Sequence, residues 1–187
     1  MGGVDKQARN WQVLDERLLV DRSPYARISE QDLLLPNGQV ITNFVQVDLP
    51  PYVMVLALLD DGCVPFVRQY RQAVGDFLLE LPAGHVEDGE EPLVAARREL
   101  REEAGVVASD WHFLGKYVMD ANRRCGWGFF YLARSAQQVA APDPGDLGEM
   151  TVQLRTLDEM RDLLAAGTLV SGPTALCLGL ALNALQC

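Results

Sequence analysis

Glu99, Glu102 and Glu103 are the residues of this chain whose type and spacing point most directly to chemistry. They stand at i, i+3 and i+4, and on a helix such positions share one face with Cβ atoms about 5–6 Å apart. Three like charges on one turn repel, so the spacing makes sense only if something positive sits among them. Their hard oxygens suit Mg2+ or Mn2+, and Mg2+ favours a few carboxylates together with substrate phosphates. A bare acidic triplet is more often a solvated face. Here it lies within a longer run, GHVEDGEEPLVAARRELREEAGV from Gly84 to Val106, which fits G-x5-E-x7-R-E-U-x-E-E-x-G-U with U a bulky aliphatic residue. At roughly 7% usage per residue type, a chance match to the fixed positions Gly84, Glu90, Arg98, Glu99, Glu102, Glu103 and Gly105 is on the order of 10⁻⁸ per start. The acidic triplet is therefore part of a motif with a mechanism behind it.

Those carboxylates need a helix, and the sequence supplies one. Leu93, Ala95, Ala96, Leu100 and Ala104 are good formers, Pro92 suits a first turn, and Gly105 suits a C-terminal stop. Upstream, Tyr52–Leu59 (YVMVLALL) reads as a central buried strand. Asp61-Gly62 turns the chain into a strand over Val64–Tyr70, and Phe77–Leu81 follows. Downstream, strands are expected near 111–119 and 127–133, a long surface loop over 135–150, and a strand over Thr151–Arg155. Helices are expected over Leu157–Ala166 and Pro173–Leu185, the second apolar enough for a core or interface position. From Trp11 to Val47 the pattern is of strands, with Pro36-Asn37-Gly38 as a turn. A ribbon that small is marginal alone and should pack on something. The expected class is α/β (α+β), a mixed sheet between helices. The expected organisation is an N-terminal β-element over 1–47 and the main domain over 48–187.

Composition narrows the partners. A length of 187 residues fits one domain with an appendage, and 49% hydrophobic residues can fill a core. A net charge of −10 argues against nonspecific binding to nucleic-acid backbones, which draws on Lys and Arg. It does not argue against a small anionic substrate, because a bound cation reverses the local sign. Cys63, Cys125, Cys177 and Cys187 are irregularly spaced, and with His85 and His112 as the only histidines no zinc site is expected. With neither a signal-like opening nor an apolar span of about 18 residues, the expectation is a cytoplasmic enzyme without a membrane partner.

The run from Gly84 to Val106 is the Nudix box, and the chain resembles Nudix hydrolases. The resemblance implies an α/β/α sandwich and a divalent-metal site formed by Glu99, Glu102, Glu103 and the Ala83 carbonyl, with Mg2+ as the cofactor and Mn2+ as an alternative. It also implies that Glu90 and Arg98 pair to orient the helix. The context VRQYRQ at 67–72 and LLELPAGHVEDGE at 78–90 resembles the ADP-ribose pyrophosphatase branch, as do LLLPNGQVITNFVQV and PPYVMVLAL. What that branch implies is hydrolysis of a nucleoside diphosphate sugar, with ADP-ribose giving AMP and ribose 5-phosphate. The substrate-binding candidates are Arg71, whose guanidinium can pair with phosphate or stack on a base, then Arg68, with Glu80 near the site. Members with such an N-terminal element commonly form homodimers by exchanging it.

Other features bear on substrate and mechanism. Members specific for ADP-ribose often carry a proline 15–16 residues past the box, whereas 107–122 here reads VASDWHFLGKYVMDAN. Asn122, Arg123 and Arg124 could meet a different sugar or phosphate, which keeps GDP-mannose open. The resemblance to that branch implies a general base from the late loop, Glu149 first and Asp146 second, and the resemblance to other Nudix enzymes gives Glu102 or Glu103 of the box as the alternative. The same loop could act as a lid. The competing class is a binding protein that reuses the fold without hydrolysis. Such proteins usually lose box carboxylates, and this chain keeps them. Cleansing of oxidised nucleoside triphosphates fits the box but not its surroundings.

Overall fold

The computed structural model describes residues 10–142 and 150–186. In chain order the strands are β1 (Gln12–Arg22), β2 (Ala26–Leu34), β3 (Val40–Asp48), β4 (Tyr52–Leu59), β5 (Cys63–Arg71), β6 (Asp76–Glu80) and β7 (Ala83–His85). Helix α1 (Pro92–Ala104) follows, then β8 (Val106–Asp120), β9 (Cys125–Gln138), β10 (Met150–Thr156), α2 (Leu157–Ala165) and α3 (Gly172–Ala184). Two units emerge, one of residues up to Pro50 with Val118–Trp127, the other of Pro51–Tyr117 with Gly128 onward.

In the second unit, β4 is apolar throughout because both of its faces are covered. Val53, Val55 and Ala57 pack with Ala95, Ala96 and Leu100 of α1. Met54 and Leu56 pack with Phe130 and Leu132 of β9, Met160 of α2 and Cys177 and Leu178 of α3. Strand β4 runs parallel to β9 and antiparallel to β7, in a sheet ordered β7-β4-β9-β8. A second sheet, β10-β5-β6, is antiparallel. This is the mixed sheet between helices that the sequence leads one to expect.

Helices α1 and α2 are closed by local chemistry. Helix α1 starts at Pro92 and ends at Gly105, whose φ of 66° is left-handed. The Gly105 N–H donates to the Arg101 carbonyl at 2.9 Å, and its own carbonyl accepts from the N–H groups of Val139 (2.9 Å) and Ala140 (3.2 Å). A Cβ at Gly105 would overlap the Ala140 carbonyl. Helix α2 carries a reciprocal cap between Thr156 and Glu159. Helix α3 buries Thr174, Cys177, Leu178, Ala181 and Leu182, a single helical stripe, and its other apolar residues are half-buried. Among the described residues no helix is long and apolar enough to cross a membrane.

The first unit holds the antiparallel sheet β1-β2-β3. Arg17 ties its strands together through Asp15, Asp32 and Asn43. Within this unit the Val47 N–H donates to the Arg123 carbonyl at 2.9 Å, and Arg124 stands 3.5 Å from Asp48. The sheet leaves Trp11, Val13, Leu14, Leu18 and Leu19 exposed.

Strands β8 and β9 are longer than expected from sequence, and this shortens the expected 135–150 loop. The segment at 135–138 carries few β-branched or aromatic residues, yet Ala136 is fully buried and pairs with Leu59 across the sheet. Pairing and burial override weak propensity there.

Replacing Gly105 with Ala should lower stability by at least about 1–2 kcal/mol, the cost of a side chain in left-handed geometry. Urea unfolding measures it, and an unchanged midpoint would contradict the capping account.

Candidate active site

The carboxylates sit where β7 meets α1. The Ala83 N–H donates to Glu103 Oε2 at 2.9 Å. Next to it, Gly84 has no side chain because none fits: a Cβ there would overlap the Glu99 carboxylate. One residue brings a strand edge against a helix, and the next makes room for a carboxylate between them.

Arg98 organises the remainder. Its Nε and one terminal nitrogen donate to the two oxygens of Glu90 at 3.1 and 3.0 Å, a bidentate pair. The same terminal nitrogen reaches the His85 carbonyl at 3.0 Å, and the other donates to Glu99 (2.5 Å) and Glu102 (3.3 Å). The expected Glu90–Arg98 pair is present, and Arg98 also neutralises two of the three clustered carboxylates. The Glu99 side chain is 12% exposed and that of Glu102 53%, so the three carboxylates are not equivalent.

Their protonation follows from these surroundings. The Arg98 guanidinium holds Glu90 below the usual carboxylate range, helped by the Glu87 N–H. Burial pushes Glu99 up, against the pull of Arg98. Glu103 is pushed up to about 7, mainly by burial and further by the charge of Glu99, although the Ala83 N–H opposes this.

These groups line a cleft of about 680 Å³. One wall carries Glu99, Glu102, Glu103, Ala83, Gly84 and His85. Strands β5 and β6 contribute Gln69, Arg71 and Glu80, and the other side is bordered by Tyr52, Met54, Ser171 and Pro173. Arg71 Nε donates to Glu80 Oε2 at 2.6 Å, and Glu80 is largely buried. Arg68 is not brought to the cleft. Side chains alternate along β5, so while Gln69 and Arg71 face Glu80, Arg68 turns the other way with its guanidinium 4.0 Å from the Phe77 ring centroid. Asn122, Arg123 and Arg124 lie in the first unit, where Arg123 bonds Asp120. Glu149 and Asp146 lie outside the described residues. Sequence inspection had no signal for Tyr52, Met54, Ser171 or Pro173, which come from an apolar strand and the start of an apolar helix.

The site suits a divalent cation in two respects. Its donors are hard oxygens, and burial leaves Glu103 short of positive charge. Among the described residues no three His, Cys, Asp or Glu side chains are already gathered as a metal-binding group. In this arrangement Arg98 and the Ala83 N–H hold the carboxylates individually.

Residues 48–171 match the model of the NUDIX domain, and the chain belongs to the Nudix family. It is 38% identical over 114 residues to the ADP-ribose pyrophosphatase of Mycobacterium tuberculosis, covering 58% of this chain and 53% of that relative, so the match spans about half of the relative's length. It is 30% identical over 168 residues to the CMP-5'-(N-acetyl-N-hydroxy-3-aminopropyl)phosphonate hydrolase of Streptomyces rubellomurinus, covering 89% of this chain and 79% of the relative. A solved structure described as an ADP compounds hydrolase superposes with a TM-score of 0.79 over 94% of each chain, at 24% identity, a likeness of fold.

The Glu103 shift has a sign that can be tested. Between an ordinary value of 4.5 and a folded value of about 7, the folded chain keeps a proton that the unfolded chain has lost. Stability from this group is therefore full below the lower value and falls as pH rises through the upper one. In EDTA, the thermal midpoint of the wild type should fall more steeply between about pH 5 and pH 7.5 than that of Glu103→Gln. Equal slopes would contradict the assignment.

Proposed function

We propose that this chain hydrolyses the pyrophosphate bond of a nucleoside diphosphate sugar with Mg2+ as cofactor and ADP-ribose as first candidate substrate. The single observation that carries this reading is the cleft that holds Glu99, Glu102 and Glu103 beside Ala83, within a complete Nudix box. The ADP-ribose pyrophosphatase relative supports the substrate class.

In this reading Glu99, Glu102, Glu103 and the Ala83 carbonyl would hold the cation. A bound divalent cation would neutralise the diphosphate and make water a better nucleophile. Arg71, oriented by Glu80 through Nε, would meet the nucleotide's phosphate or base. Arg98 keeps Glu99 and Glu102 together when substrate is absent, and Glu90 fixes Arg98. A base must accept the proton of the attacking water, and Glu149 remains the first candidate, ahead of Asp146 and the box carboxylates Glu102 and Glu103.

The relative that covers most of the chain acts, by its name, on a CMP phosphonate. That favours a second reading in which the group beyond the nucleotide is not a sugar, alongside GDP-mannose as an alternative sugar nucleotide. We also propose a homodimer formed through the N-terminal ribbon. Its exposed Trp11, Leu14 and Leu18 are supporting observations, since apolar patches on a small sheet favour a partner surface. Cytoplasmic residence and the absence of a nucleic-acid partner belong to the same proposal.

The test is a panel of ADP-ribose, GDP-mannose, ADP-glucose, a CMP phosphonate and deoxynucleoside triphosphates, with Mg2+ or with EDTA. The expected result is AMP from ADP-ribose, only with Mg2+. No hydrolysis of any member would favour the binding-protein class. Glu103→Gln should reduce turnover by roughly 10²-fold or more with the circular dichroism spectrum unchanged. Glu149→Gln should cost roughly 10²–10⁴, and a loss below about tenfold would remove it as the base.

A further inference from the structure

Tyr52 opens β4 and borders the cleft, yet nothing in the box, the metal site or the Arg71–Glu80 pair uses it. Its ring is already committed. It meets the Phe130 ring edge-on with centroids 6.0 Å apart. It also lies over Gly128, its partner across the sheet on β9. A Cβ at Gly128 would stand 2.6 Å from Tyr52 Cζ, 2.7 Å from its hydroxyl oxygen and 2.8 Å from Phe130 Cε2. The glycine is what makes room for the phenol.

The hydroxyl is different. Among the described residues it is a buried side-chain oxygen with no hydrogen-bond partner. Buried polar groups are nearly always paired, and an unpaired one on a residue that lines a cleft calls for a partner that arrives from outside, reached by a small shift of the ring. Burial pushes the phenol up to about 12, with the neighbouring Cys177 thiol contributing, so it keeps its proton at neutral pH. It can therefore donate. Because Phe130 and Gly128 already pack against the ring, the hydroxyl rather than a stacking face is the part left to meet a ligand.

We infer that Tyr52 is a substrate-binding residue whose hydroxyl donates a hydrogen bond to an oxygen of the bound diphosphate ester, either a phosphate oxygen or a hydroxyl of the distal group. This rests on the function proposed above. Such a donor adds selectivity, because a ligand without the acceptor leaves the hydroxyl buried and unpaired. It also explains why the unpaired group can persist, since free chains carry the cost and bound chains recover it.

The experiment compares the wild type and Tyr52→Phe by calorimetry with the α,β-methylene analogues of ADP-ribose and of ADP, in Mg2+. Their P–C–P bridge is not hydrolysed. Tyr52→Phe should weaken the ADP-ribose analogue by about tenfold, the size of one hydrogen bond to a ligand. An equal loss for the ADP analogue places the acceptor on the nucleoside diphosphate portion that the two share, and a loss confined to the ADP-ribose analogue places it on the distal ribose. The thermal midpoint of the free variant should be unchanged or higher, because no internal bond is removed. A lower midpoint with unchanged affinity would mark Tyr52 as structural and overturn the inference. Unchanged affinity for both analogues, with the wild type binding them, would overturn the Tyr52 assignment alone. Failure of the wild type to bind either analogue would overturn the proposed function, and the Tyr52 assignment with it.

Discussion

The guanidinium of Arg98 makes this site possible. About one turn of α1 puts Glu99, Glu102 and Glu103 on one face, an arrangement that repulsion alone would disfavour. Arg98 donates to Glu99 and Glu102 while Glu90 grips it through two oxygens and the His85 carbonyl takes a further bond. One cation thus stores the acidic cluster and fixes the approach of the loop to the helix. Glu103, the carboxylate outside this fan, is held by the Ala83 N–H instead and is the one that burial pushes up to about 7. The site therefore holds anionic capacity in reserve, and a divalent cation is the partner that would draw on it.

The sheet serves this arrangement by being buried on both faces. One face of β4 seats α1 through alanines that let helix and strand approach closely, and the opposite face seats α3. The cleft opens where β4 pairs with the short β7. From there it reaches the carboxylates on one side and Tyr52 with the start of α3 on the other. Rigid packing on both faces is what allows single residues, Gly84 and Gly128, to set the clearances around a carboxylate and a phenol.

Much of this was legible in the sequence. The helix, its stop at Gly105 and the central strand each follow from local residue types and spacing, and the Glu90–Arg98 pair follows from the resemblance of the box. Other features depend on contacts between distant segments. That Arg71 faces the cleft and Arg68 does not follows from the register that sets Val67 opposite Glu80. Strand alternation predicts two faces for β5 but not which one meets β6 on the cleft side. The extension of β9 to Gln138 depends on the burial of Ala136, which its residue type did not signal. Tyr52 read as one more apolar strand position, and only the three-dimensional pairing with Gly128 shows the space that its buried hydroxyl occupies.

The central claim is that the carboxylates of α1 hold a divalent cation on which hydrolysis depends. The most direct measurement titrates Mn2+ into the metal-free protein, following bound cation by electron paramagnetic resonance and AMP release from ADP-ribose in the same samples. The account predicts that turnover rises with occupancy and that Glu99→Gln weakens both together. Hydrolysis of ADP-ribose that persists in excess EDTA, or Mn2+ binding that Glu99→Gln leaves intact, would contradict it.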